Sequence, residues 1–219
     1  MSIMPESLES SILDSVSSGD LLALGDTAVE VITNSQFEDE VLTQIPIFGT
    51  LAKLYKVGIG IREHLFIRKV HDFLFQLKEI SSEKRLNFIK ELSKNPGKEK
   101  EFGKTIIMIL ESLDNLNKSR IVGNVIKALI EKNINYGTAM RLCSMVNRSY
   151  YPDLAFLYKT EDFESNRNIS EQLRFVGFLD VIIDNFELGQ TDSAHNKYSL
   201  NDYGKALKNY GFTGIFNEN

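Results

Sequence analysis

Between residues 37 and 79 apolar side chains return at every third or fourth residue, from Ile45 and Phe48 through Leu51, Leu54 and Tyr55 to Leu65, Val70, Phe73 and Leu77. That period lays them along one broad stripe of a helix, whereas a strand needs alternation at every second residue. A stripe this wide has to be buried against other elements, so the stretch predicts packed helices and not a sheet. Pro46 suits a first helical turn, while Gly58 and Gly60 weaken the middle. Two helices, or one bent helix, are expected.

The punctuation downstream continues the pattern. Residues 82–92 read as a helix stopped by Asn95-Pro96-Gly97, and residues 98–113 and 118–132 as two more, divided at Asp114-Asn115. Ile106, Ile109 and Leu110, then Ile121, Val125, Ala128 and Leu129, fall on single faces. Another helix is expected near Thr138, with Met140, Leu142, Met145 and Val146 inward, and a short one after Pro152. After Lys159 the character changes. A polar connection leads to Asn168, which with Glu171 reads as a capping box opening a helix to about residue 179. The β-branched run Val181-Ile182-Ile183 and the segment Lys197-Tyr198-Ser199-Leu200 read as short strands around Gly189, with a last helix over residues 202–210.

The segment Tyr198-Ser199-Leu200-Asn201-Asp202-Tyr203-Gly204-Lys205-Ala206-Leu207 resembles the Tyr-x-Leu-Thr-x-x-Gly-x-x-Leu segment that closes many bacterial winged-helix domains. Asn201 stands where those domains usually carry Thr, and either residue caps a helix. Upstream, Leu173, Val176, Gly177 and Leu179 are similar to the place where a recognition helix turns into the wing. The fold class expected is therefore mainly α: a helical bundle with a small C-terminal winged-helix-like α+β unit. Residues 1–40 are read as an acidic N-terminal region of short helices or a tether, 41–160 as the helical body and 161–219 as the winged-helix-like unit. A second resemblance rests on residues 45–58, continuing through Arg62, Leu65, Phe66 and Val70, which are similar to the front of uncharacterised bacterial proteins of mobile and defence loci. It implies no particular activity.

A winged-helix regulator needs Lys or Arg on the helix before the wing to meet phosphates. Between Asn168 and Asp184 the charges are Glu171, Arg174, Asp180 and Asp184, and Lys197 follows the turn alone. Arg174 and Lys197 are the only candidate nucleic-acid contacts, and a net acidic face makes protein a better expected partner than DNA.

Charge is segregated. Residues 1–44 hold nine acidic side chains and no Lys or Arg, while residues 45–75 hold five basic and two acidic ones. The mixture of Phe48, Leu51, Leu54, Tyr55 and Phe66 with Lys53 and Lys56 marks a candidate membrane or partner face, which the acidic leader is placed to cover. The longest uncharged stretch, residues 41–52, has twelve residues and includes Pro46, whereas a membrane-spanning helix needs about 20. One cysteine, Cys143, and an N-terminus without the features of a secretory signal point to the reducing cytoplasm.

No pattern of residues assembles a catalytic centre. His64 and His71 lie seven apart, too far for an i,i+4 pair on one metal, and read as surface histidines. Gly58-x-Gly60 lacks the third glycine of a dinucleotide fingerprint, and there is no Gly-Lys-Ser/Thr loop. The Arg-to-His spacing of HEPN-type helical ribonucleases is absent, because Arg68 precedes His71 by too little and Arg62 by too much. Cys143, on an apolar helix, reads as a buried structural thiol. Tyr136, Tyr150, Tyr151 and Tyr158 read as aromatic packing at the core edge. The expectation is a non-enzymatic interaction or self-assembly protein, an accessory or effector of a defence-type system, with no cofactor or metal and with another protein or a second copy as partner. The alternatives are a winged-helix DNA-binding regulator and a peripheral membrane protein acting through residues 45–75.

Overall fold

The computed structural model describes residues 7–25, 43–54, 61–182 and 197–216. Ten α-helices and one two-stranded antiparallel sheet are present among the described residues. In chain order they are α1 (Leu8–Ser17), α2 (Pro46–Leu54), α3 (Ile61–Phe75), α4 (Ser82–Ser93), α5 (Lys98–Ser112), α6 (Leu116–Ile130), α7 (Tyr136–Arg148), α8 (Tyr151–Lys159), α9 (Arg167–Val176), β1 (Leu179–Ile182), β2 (Lys197–Leu200) and α10 (Asp202–Ala206). A 3₁₀ turn (Gly19–Ala23) follows α1, and a π turn (Leu207–Gly211) follows α10. The mainly α class with a small C-terminal α+β unit is thus observed. None of the described helices is long and apolar enough to cross a membrane.

Local chemistry explains many of the boundaries. Four asparagines cap helices with their side-chain oxygens: Asn115 accepts from the Asn117 amide at 2.8 Å, Asn135 from Thr138 at 2.9 Å, Asn166 from Ile169 at 3.3 Å and Asn201 from Gly204 at 3.0 Å. The expected cap at Asn168 is displaced, since Asn166 stands just outside the helix and its side chain accepts from the Ile169 amide. Gly177, at φ +108°, ends that helix in the left-handed region, earlier than expected. Residues 207–210 continue α10 as the π turn.

The helix at the centre is α6. Eleven of its fifteen residues are buried, from Lys118 to Ile130. It packs against α3 and α7, and the π turn closes a third side. At the α3 crossing a Cβ on Gly123 would lie 2.7 Å from the Phe73 carbonyl oxygen, so only glycine permits this approach. Burial obliges the polar groups of α6 to find partners. Asn124 donates to the carbonyls of Gly211 at 3.0 Å and Thr213 at 2.9 Å, tying the C-terminal segment to the helix. Lys118, fully buried, reaches Asp114 at 2.6 Å and the Asn147 carbonyl at 3.3 Å.

The acidic leader contributes to the same core. Ile12, Leu13 and Val16 of α1 are buried with the rest of one continuous cluster that extends to Phe212. α1 lies against α2, α4 and α5, and a Cβ on Gly103 of α5 would meet the Glu9 carbonyl oxygen at 2.6 Å. Hydroxyls join α1 to α2: Ser11 and Thr50 share a hydrogen bond at 2.7 Å, and the Ser15 hydroxyl accepts from the Ile47 amide at 2.9 Å while donating to Ser11 O at 2.7 Å. Ser15 thereby satisfies a first-turn amide of α2 from another helix.

Arg85 of α4 is the largest fully buried side chain, and among the described residues its charge meets no carboxylate. Its guanidinium donates to the carbonyls of Leu77 at 2.9 Å, Ile80 at 2.6 Å and Ser18 at 2.5 Å. These carbonyls close the chain beyond α3 and α1, where helix dipoles place negative potential. Burial pushes the guanidinium pKa below its ordinary value. Arg85→Leu leaves the Ile80 and Ser18 carbonyls without this donor, while Leu77 keeps the Ile80 amide, and is expected to lower unfolding free energy by about 3 kcal/mol. Gly123→Ala is expected to lower it by about 1–3 kcal/mol through overpacking at α3. Urea unfolding followed by circular dichroism measures both, and values near zero contradict these contacts.

Candidate functional site

The amphipathic stretch read from the sequence divides once folded. Phe48 and Leu51 have no exposed surface and belong to the core, because the face of α2 that carries them lies on α1. Lys53 and Leu54, at the end of α2, are exposed, and Phe66 is half-buried on α3. Tyr55 and Lys56 fall outside the described residues. Two members of the stripe not singled out as site residues stand out instead: Ile61 is 82% exposed and Leu65 41%, one turn apart on α3. A shallow cleft of about 390 Å³ opens beside Leu65, with Leu8, Phe66 and Ile107 as apolar lining and Arg62, Glu63 and Glu111 on its polar side. Met108, next to Ile107 on α5, is also exposed.

Lys69 lines this cleft, but its ammonium is committed to the end of α5. It donates to the carbonyls of Glu111, at 3.2 Å, and Leu113. Burial lowers its pKa, and the nearby Asp114 and Glu111 carboxylates oppose that shift. Among the described residues, the exposed basic groups of the α2–α3 face are Lys53 and Arg62. The leader approaches through Leu8 at the cleft wall, whereas Glu9 feels Lys100 and Lys104 of α5 and not the basic groups of α3.

In the C-terminal unit, β1 and β2 pair antiparallel, with Leu179 opposite Leu200 and Ile182 opposite Lys197. The order helix, strand, strand, helix matches expectation. Its electrostatics, however, close on themselves. Arg174 grips Glu171 through two hydrogen bonds, at 3.0 and 2.6 Å, and the Tyr198 hydroxyl donates to the same carboxylate at 2.8 Å. Glu164 accepts from the Tyr198 amide at 2.9 Å and pairs with Arg167 at 2.7 Å. Arg174, one of the two candidate nucleic-acid contacts, is thus neutralised by its own helix, and its guanidinium lies over the Phe175 ring at 4.5 Å. Lys197, the other candidate, is exposed on β2. What α9 presents outward is Phe175, 68% exposed, and β1 presents the half-exposed Ile182.

The remaining candidates have structural positions. Cys143 is fully buried, and burial pushes its thiol up to about 12, which leaves no thiolate at neutral pH. Tyr151 and Tyr158 stack on Phe216, Tyr158 meets Phe212 edge-on, and Tyr136 tilts against Phe102, as core-edge packing requires. Tyr150 is exposed. His71 is not a surface histidine: it is buried, because the α3 face bearing Ile67, Val70 and Leu74 also carries it inward. No group of three metal-ligating side chains exists among the described residues. Comparison with family models, with curated proteins and with solved structures finds no match to this chain.

The hydrogen bonds from Arg174 and Tyr198 hold the Glu171 carboxyl at about 2, below its ordinary 4.5. A depressed acid stabilises the fold above its unfolded pKa and loses that contribution as pH falls through the folded value. The α9–β2 clamp is therefore expected to persist in mildly acidic solution and open only toward pH 2. Carbon-detected NMR titration of the Glu171 carboxyl reads this directly, and a midpoint near 4.5 contradicts the clamp.

Proposed function

We propose that this chain is a non-enzymatic interaction protein that binds another protein, or a second copy of itself, through the outer face of α2 and α3. The observation that carries the reading is the pairing of Ile61 and Leu65, exposed one turn apart on α3, with Leu65 at the edge of a cleft of mixed polar and apolar lining. A scattered exposed leucine is ordinary, but two large apolar residues on one helical stripe form a surface that a partner can dehydrate. Burying either side chain contributes about 1.5–3 kcal/mol. Lys53 and Arg62 flank the stripe, which suits a partner whose rim is acidic. The resemblance of residues 45–58 to proteins of defence loci adds a setting, that of an accessory or effector component.

Two observations weigh against the alternatives. The self-contained Glu171–Arg174 pair removes a cation that DNA binding requires, and the placement of Phe48 and Leu51 in the core removes two of the apolar groups that lipid binding requires. Light scattering of the wild-type chain, together with affinity capture, is expected to show self-association or a specific retained partner. Ile61→Glu with Leu65→Glu is expected to weaken that association by more than about tenfold while leaving circular dichroism and melting temperature unchanged. A strict monomer that retains no partner, or a double variant that binds as well as wild type, overturns the reading.

A further inference from the structure

A second cleft lies on another face of α3, where residues 68–76 meet the start of α6. Its volume is about 630 Å³, within the span of small-molecule sites. The α6 end of it is built from Asp114, Asn115, Leu116 and Asn117, the cap and first turn of a fifteen-residue helix. The positive end of the α6 dipole and its first-turn amides therefore border the cleft.

Side chains supply unfilled hydrogen-bonding capacity at the same place. Arg68 lines the cleft and makes no hydrogen bond or ion pair with the described residues; its Nε is buried without a partner. His71 also lines it, is 2% exposed, and has a partnerless buried Nε2. Its Nδ1 lies 3.3 Å from Asp72 Oδ1. A carboxylate only accepts, so Nδ1 carries the proton, and Nε2 then accepts from a hydroxyl or, in the imidazolium, donates to an anion. Arg120 is held in place by a 2.9 Å hydrogen bond to the Gly214 carbonyl, which uses one of its five donors.

Of the two acidic groups at the cleft, Asp114 pairs with the buried Lys118 at 2.6 Å, and Asp72 accepts one hydrogen bond from His71 Nδ1 at 3.3 Å. What the site lacks is acceptors for Arg68 and Arg120 and a partner for His71 Nε2. We infer that the cleft between α3 and the N-terminal end of α6 binds the phosphate group of a small phosphorylated molecule. A phosphate oxygen meets all three needs, since it accepts from guanidinium and, when protonated, donates to an imidazole, while the positive end of the α6 dipole favours its charge. The volume exceeds that of phosphate alone, and Phe75 and Leu116 provide apolar surface for an attached organic group. This site is independent of the α2–α3 face and does not rest on the interaction reading.

Calorimetric and thermal-shift titration of the full chain with inorganic phosphate, AMP, adenosine and citrate tests the assignment. Phosphate and AMP are expected to bind and raise the melting temperature, AMP more tightly, with little response to adenosine or citrate. Arg68→Gln is expected to weaken AMP binding by at least about tenfold with the ligand-free melting temperature unchanged. Should that variant fail to fold, amide NMR shifts of the wild-type α6 first turn on adding AMP serve instead. No response to phosphate and AMP at millimolar concentration overturns the proposal. So does an equal response to citrate, undiminished binding by Arg68→Gln, or AMP-induced shifts that avoid Leu116 and Asn117.

Discussion

A helix that buries eleven of its fifteen residues has to find partners within the protein for the polar groups it buries, and α6 is such a helix. Its apolar positions stabilise the fold by removal from water, but Asn124 and Lys118 decide which neighbours are allowed. Asn124 requires two carbonyls, and the turn at Gly211–Thr213 supplies them. Lys118 requires a counter-charge, and Asp114 one turn earlier supplies it. Gly123 sets the distance to α3. The position of the C-terminal unit thus follows from side chains in the middle of the body.

A second device recurs around this centre: cations and hydroxyls on one helix complete the open ends of another. Arg85 closes the chain after α1 and α3, Lys69 closes α5, and Ser15 covers the first turn of α2. The cations Arg85 and Lys69 are thus held at helix ends, and the exposed basic groups of the α2–α3 face among the described residues are Lys53 and Arg62. The described part of the acidic leader packs by its apolar side, Ile12, Leu13 and Val16.

Much of the architecture was legible in the residues. The helical period, the Asn-Pro-Gly stop and the Asn201 cap are local signals, and local signals survive folding. The strand at Lys197–Leu200 and the helices beginning at Ser82 and Lys98 appear where their punctuation puts them. Features that depend on partners distant in sequence were not legible. Nothing in the spacing of α2 tells which of its apolar residues meet α1, so Phe48 and Leu51 read the same as Leu54. Asn166 and Asn168 are equivalent caps until the preceding turn decides. Arg174 reads as a free cation until Tyr198 and Glu171 are seen beside it, although the i,i+3 spacing of Glu171 and Arg174 was an available signal. The cleft of Arg68, His71 and Arg120 draws on segments more than 40 residues apart, and no local motif announces it.

The leader helix, the central helix and the C-terminal turn share one core. Native-state hydrogen exchange under increasing low urea tests this most directly. A shared core predicts that amides of Ile12–Val16, Ile121–Ile126 and Gly211–Phe212 converge on a single opening free energy equal to that of global unfolding. If α1 or the C-terminal turn instead opens at a much lower free energy while α6 stays protected, a single cooperative core is contradicted.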